Sequence, residues 1–396
     1  MSLEFNKLIG EVETLSNSLA QRAAAVNARA PQVAEALSRL GAPQRWWYEK
    51  ITRAGDRWSG AVPVHEPPGL RKPLPASPPQ FTVLGVDGSQ IYPDRHGAVQ
   101  YYVINVGSLV YTHGQAIAPV INSHPHVYYV EESLATEENE GQLSNALIDG
   151  QRDVAELQEL ARLAQEHNTL PTVALLDNGL LFWLAWQMPE RRQRQARQLL
   201  DEYLAQLEIL RQTGIALAGF ICRPRSVAVL LLLHLLSMTE TQITDDSWRS
   251  IPDRGLSDRM VFEHLLAPGE RSALFYDNSL LNRSDDFAGH LIHFFYINVG
   301  HPGQPEIARV EVPAWVANQP ELLDLTQAAI VAQCHVPEGF PYVLVRAHEL
   351  AVVTLAEKNA LDQLVHQALL QRGLVRFVSQ KARTKQWTAG KRRHRL

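Results

Sequence analysis

Cysteine is scarce in this chain. Two in 396 residues, Cys222 and Cys334, cannot build a disulfide scaffold and sit in no paired metal-binding spacing, so a reducing compartment fits. Long apolar runs are missing as well. The most apolar segment, Val227 to Met238, is too short to span a bilayer and contains His234. The opening residues, MSLEFNKLIGEVE, lack the basic segment and apolar run of a signal peptide. A cytoplasmic protein with no membrane contact is the expectation. Nor does one sign of charge dominate: 37 Lys and Arg against 42 Asp and Glu leave a formal net charge of −5, which gives no global sign of nucleic-acid binding. No internal repeat or low-complexity tract is present.

What is present is an ordinary globular composition, 45% hydrophobic and 20% charged, enough for one elaborated core or two domains. Charge is unevenly distributed, because Lys381, Arg383, Lys385, Lys391, Arg392, Arg393 and Arg395 follow one another with no acid between them. Such a tail is a solvated end or a contact for a polyanion.

Near the N-terminus, Phe5, Leu8, Val12, Leu15 and Leu19 recur in steps of three and four, the pattern of a helix with one apolar stripe. The stripe either pairs with a second copy or folds back on its own subunit. Pro31 is expected to interrupt it. A second helical stretch carries Val33, Leu37 and Leu40, and Trp46, Trp47 and Tyr48 after it read as core rather than as platforms for bases. Between Gly60 and Pro79 come Pro63, Pro67, Pro68, Pro73, Pro75, Pro78 and Pro79, which favour extended chain. The reading is a helical arm over residues 1–60, a linker over 61–80, a main domain over 81–385 and a basic tail over 386–396.

The main domain opens with FTVLGVDGSQ, Phe81 to Gln90. Its apolar run reads as a short strand ended by Gly85, Gly88 and Ser89, placing Asp87 where strand meets turn. A carboxylate there suits a metal ligand or a general base; it also suits an Asx cap of the turn. Val99 to Tyr111 and Ile117 to Val130 form a hairpin pattern around His113 and Gly114, followed by an acidic loop, Glu131 to Gly141. Leu143 to His167 reads as an amphipathic helix, Thr172 to Asp177 as a second short strand ending in an acid, Arg191 to Gln212 as a helix and Ile215 to Cys222 as a strand. Antiparallel strands first and right-handed crossovers after them place the first and fourth strands side by side and parallel. That order is a ribonuclease H-like α/β fold, a mixed sheet flanked by helices, with the N-terminal arm and further C-terminal α/β elements added. Adjacent strand ends bearing Asp87 and Asp177 suit a pair of divalent cations.

GVDGSQ (85–90), RDVAELQEL (152–160), ALLDNGLL (174–181), GFICRPRSVAV (219–229), LLAPGERSALF (265–275), HFFYINV (293–299), ARVEVPAWVA (308–317) and PYVLVRAHELAVV (341–353) together resemble the NurA nucleases. That resemblance implies a metal-dependent DNA end-processing enzyme, of the 5′–3′ exonuclease and single-strand endonuclease type. It would act in end resection and double-strand break repair as a homodimer partnered with the hexameric HerA translocase. It implies that Asp87, Glu156, Asp177 and His348 hold Mn²⁺ or Mg²⁺, two ions per site, with Glu159 or an acid among Glu131, Glu132, Glu137, Glu138 and Glu140 as alternatives to Glu156. An ordinary pair between Arg152 and Glu156 is the other reading of that helix. Arg223, with Arg225 nearby, would face the scissile phosphate, and Arg225 alone reads equally as a surface charge. Tyr296 would touch the substrate phosphate or pack a strand, and Lys381, Arg383, Lys385, Lys391, Arg392 and Arg393 would add DNA contacts. In place of the Gly and Ser of many members, Asn178 and Gly179 follow Asp177. Two other classes stand beside the nuclease. One is a binding-only subunit of the translocase complex, which predicts loss of carboxylates that are in fact present. The other is an ATP-using enzyme of the actin and sugar-kinase architecture, which lacks here its duplicated phosphate turn and glycine-rich adenosine loop.

Overall fold

The structure is a computed structural model and describes residues 5–94, 99–129, 145–244, 248, 255–336 and 339–373. Along the chain come α1 (Ile9–Ser38), α2 (Arg45–Arg53), β1 (Ala61–Pro63), β2 (Arg71–Lys72), β3 (Phe81–Ile91), β4 (Tyr101–His113) and β5 (Val120–Tyr129). These are followed by α3 (Asn145–Glu166), β6 (Thr172–Leu176), α4 (Leu184–Gln187), α5 (Gln193–Thr213), β7 (Ala216–Ile221), α6 (Ala228–Ser237) and α7 (Asp258–Phe262). The remainder is β8 (Arg271–Ser272), β9 (Phe275–Asp277), β10 (Ile292–Asn298), β11 (Ile307–Pro313), α8 (Ala314–Ala317), α9 (Pro320–Cys334), α10 (Tyr342–Ala351) and α11 (Leu355–Gln371). Among the described residues no helix is long and apolar enough to cross a membrane.

The chain divides into two compact units. One comprises Gln80–Leu176, Phe182–Gly214 and Val343–Leu396. Its sheet runs β6-β3-β4-β5: β3 and β4 pair antiparallel from Phe81↔His113 to Ile91↔Val103, β4 and β5 form the expected hairpin, and β6 lies parallel to β3. This is the order the ribonuclease H-like reading requires. The strand β3 does not end at its glycines, however. It continues through Asp87 to Ile91 because β4 pairs with it along its whole length, whereas β6 stops at Leu176, opposite Val86. The glycines answer to close approach instead of a turn: a Cβ at Gly85 would lie 2.7 Å from Val343 of α10, and one at Gly88 would lie 2.6 Å from Glu156 Oε1 of α3.

The other unit comprises Met1–Pro79, Asp177–Leu181 and Ile215–Tyr342. Its antiparallel sheet runs β1-β9-β10-β11-β7, with β2 pairing β8 and β8 pairing β10. Two expectations are corrected here. The proline-rich stretch supplies β1 and β2 to the sheet, and Glu66 within it pairs with buried Arg271 at 3.0 Å, so it is part of this unit rather than a free linker. Pro31 lies inside α1, which runs unbroken to Ser38. An interior proline costs a helix about 3 kcal/mol, but Ala30, Val33, Ala34 and Leu37 are buried in a core with Trp58, Trp248 and the leucines of α6, which offsets the loss. The stripe at the other end of α1 is bare: Phe5, Val12, Leu15 and Leu19 are all exposed.

Candidate metal centre

Side chains alternate along β3. Gly85, Asp87 and Ser89 face α10: Val343 crowds Gly85, the Ser89 hydroxyl donates to the Ala351 carbonyl, and Asp87 Oδ2 lies 2.7 Å from His348 Nδ1. Gly107 of β4 lets α10 come close, since a Cβ there would be 2.3 Å from the Ala347 carbonyl oxygen. Packing α10 tightly on two glycines is what puts His348 over Asp87. The imidazole is exposed and the carboxylate half-buried, so the pair opens to solvent with a rigid strand behind it.

Gly88 and Gln90 face α3. There Glu156 is buried against Gly88 and paired with Arg152 at 3.2 Å. Arg152 donates also to Gln90 and Asp153. Glu156 therefore lies on the face of β3 opposite the Asp87 and His348 pair, and its ordinary pairing within the helix, one of the two readings of this residue, is formed. Glu159 is held elsewhere on α3, accepting from Ser108 at 2.8 Å and from Arg162 at 2.7 Å. The acidic residues Glu131 to Glu140 lie outside the described residues, as do Lys381, Arg383, Lys385, Lys391, Arg392 and Arg393. Among the described residues no group of three or more His, Cys, Asp or Glu side chains is arranged to hold a metal ion.

Asp177 and Arg223 belong to the second unit. Asp177 follows the last residue of β6 and is exposed, with Asn178 Oδ1 accepting from the Gly179 N–H at 2.9 Å. Arg223 follows β7 in the left-handed region, φ 48°, unusual for a side chain with a Cβ. Its Nε donates to Glu306 at 3.2 Å and its guanidinium is exposed. Burial pushes the Cys222 thiol pKa up, Glu306 and Asp177 add to that, and Arg223 works against it. These four side chains thus share one electrostatic neighbourhood. Arg225 is exposed beyond buried Pro224.

Tyr296 follows the second of its two readings. The residue is wholly buried and its hydroxyl donates to Asp258 Oδ2 at 2.7 Å, so it packs a strand. Two residues went unremarked in the sequence. Asp258 is buried and accepts from the Val229 and Leu230 N–H groups at the start of α6. Glu311 is buried on β11 beside Arg309 and accepts from the Leu180 N–H at 2.8 Å. The signal for Glu311 was available, because Arg309 and Glu311 stand two apart, on one face, in the otherwise apolar strand IARVEVP.

The NurA domain model matches residues 81–353, about two thirds of the chain. Among solved structures, that of the NurA nuclease from Sulfolobus solfataricus is similar with a TM-score of 0.50 and 13% identity, covering 93% of this chain and 97% of that one. A crystal structure of NurA with manganese gives a TM-score of 0.42 at 10% identity, covering 90% of this chain and 98% of that one. At such identities the first likeness concerns the fold. No curated protein matches the chain.

Proposed function

The chain belongs to the NurA domain family, and from that premise we propose that it is a metal-dependent deoxyribonuclease that hydrolyses phosphodiesters at DNA ends. The observation that carries the reading is the Asp87 and His348 pair, 2.7 Å apart and open to solvent on a strand that β4 holds along its full length. An anionic oxygen and an imidazole nitrogen fit Mn²⁺ or Mg²⁺ better than a thiolate-bound structural zinc. When bound, such an ion activates water and offsets charge on the leaving oxygen.

The protein's own part is positional. The imidazole of His348 orients the Asp87 carboxylate, and the exposed Arg223 guanidinium, steadied by Glu306, offers a positive charge to a phosphate. Asp177 is assigned as the second carboxylate on the strength of its motif. Glu156 acts from the far face of β3, fixing the strand beneath Asp87 through its contact with Gly88. The finer parts of the proposal rest on the family resemblance: two ions per site, 5′–3′ exonuclease and single-strand endonuclease activity, a role in end resection, a homodimer, and docking on a HerA-type hexameric translocase.

The test is a manganese titration of cleavage on a labelled DNA end. Asp87→Asn and His348→Ala are expected to lower cleavage at least about 100-fold while DNA binding survives. Undiminished cleavage by Asp87→Asn would sink the assignment, and a parent protein that binds DNA ends without cutting them at any Mn²⁺ or Mg²⁺ concentration would leave the binding-only subunit.

A further inference from the structure

We propose that Glu311 is a positioning residue for this reaction: by holding the backbone of the turn from Asn178 to Leu180, it fixes the direction in which Asp177 presents its carboxylate. The inference rests on the reading of Asp177 as a metal ligand and deepens it.

Both oxygens of Glu311 are committed. Oε2 accepts from the Leu180 N–H at 2.8 Å, and Oε1 accepts from Arg309 Nε at 3.0 Å and Nη2 at 2.8 Å. Arg309 cannot swing away with it, because Nη2 also donates to Asp277 Oδ2 at 2.7 Å and the guanidinium lies over the Phe294 ring at 3.6 Å. The turn is enclosed on its other sides too. A Cβ at Gly179 would come within 2.9 Å of Glu311 Oε2, and a Cβ at Gly219 of β7 would come within 2.3 Å of the Asn178 carbonyl oxygen. Leu180 is wholly buried while Asp177 and Asn178 are exposed. The chain thus leaves β6, presents Asp177 to solvent, and within three residues is pinned by a buried carboxylate.

Burying a charge pair is a poor route to stability, since an apolar pair of similar volume often serves as well. A carboxylate accepting from one defined N–H does something an apolar side chain cannot: it sets the turn's height and rotation. A displacement of about 1 Å in a reacting group costs on the order of 100-fold in rate.

The experiment uses the full chain and four variants, with three readouts: hydrogen exchange over the peptide that includes Leu180, manganese binding without DNA by electron paramagnetic resonance, and cleavage rate against Mn²⁺ concentration. Glu311→Ala removes the acceptor. Gly179→Ala drives the turn off Glu311 without altering any charge. Both are expected to speed Leu180 exchange, weaken manganese binding and slow cleavage, the last by about 10- to 100-fold. Glu311→Gln keeps an oxygen for the Leu180 N–H and should stay within about 3-fold of the parent.

The proposal is overturned if Gly179→Ala or Glu311→Ala, folded by circular dichroism, keeps parental manganese affinity and rate. It is overturned equally if Glu311→Gln is as impaired as Glu311→Ala, which would assign the effect to the lost partner of Arg309. Asp177→Asn separates the two ideas. If it retains manganese binding and cleavage, the metal reading of Asp177 is wrong; if it loses both while Glu311→Ala keeps them, only the clamp is wrong.

Discussion

Gly88 shows how much of this molecule is decided by single atoms. Its missing Cβ is the space that Glu156 Oε1 and Arg152 Cγ occupy, at 2.6 and 2.7 Å from where that atom would stand. Gly88→Ala is therefore expected to destabilise the fold by about 1–3 kcal/mol, read as a lower denaturant midpoint, through overpacking rather than through any backbone torsion. A melt indistinguishable from the parent would mean that α3 yields easily. Glu159 offers a second test, in pH. Burial pushes its carboxyl pKa up, but hydrogen bonds from Arg162 and Ser108 more than offset this and the net pKa is lowered. A carboxyl depressed in the folded state contributes stability above the unfolded value, about 4.3, and that stability is lost as pH falls through the folded value. Urea melts from pH 7 to pH 3 should show Glu159→Gln with a shallower acid decline than the parent. Parallel declines would show that the Ser108, Glu159 and Arg162 cluster contributes nothing measurable.

Among the elements, α6 depends on a group remote in sequence. The Val229 and Leu230 N–H groups of its first turn are satisfied by Asp258, which also receives the Tyr296 hydroxyl. Asp258→Ala leaves three buried donors without their acceptor and should cost about 3 kcal/mol or more. Tyr296→Phe should cost only about 1 kcal/mol and leave DNA affinity and cleavage unchanged; a selective loss of DNA binding would restore the phosphate contact. What could be read in advance was periodic. The β4 and β5 hairpin, the stripe of α3, and the parallel neighbours β3 and β6 follow from alternations of two and of three to four residues. What misled was punctuation. Gly85 and Gly88 looked like a turn, Pro31 like a break and the prolines of residues 61–80 like a linker, because each residue's local preference is visible in sequence and the tertiary contact that overrides it is not. The same limit applied to the candidate site. Asp87 and His348 were legible as motif residues, but the opposite faces of β3 that separate Asp87 from Glu156 depend on Asp87 lying within the strand, and that depends on β4.

At the scale of the whole molecule, the first half of α1 leaves Val12, Leu15 and Leu19 exposed. Leu15 is 58% exposed while Leu37 of the same helix is fully buried. Placing two charges on that stripe, Leu8→Glu with Leu15→Glu, should weaken self-association by light scattering, or docking to a HerA-type ring by pull-down, and leave manganese binding intact. Unchanged mass and docking would remove the stripe from any assembly. The interleaving of the two units bears on how the protein comes into being. Each unit is built from three separated stretches of chain, and the Asp87 and His348 pair joins residues 261 positions apart. On a ribosome, one face of β3 must wait, uncovered, until the chain has grown the 261 positions from Asp87 to His348 before α10 can close over Gly85 and Gly107. Contacts so distant in sequence make for slow acquisition of structure. A chain halted before Tyr342 would carry Asp87 and still lack the helix that covers it, so synthesis itself withholds the Asp87 and His348 pair until α10 has been made.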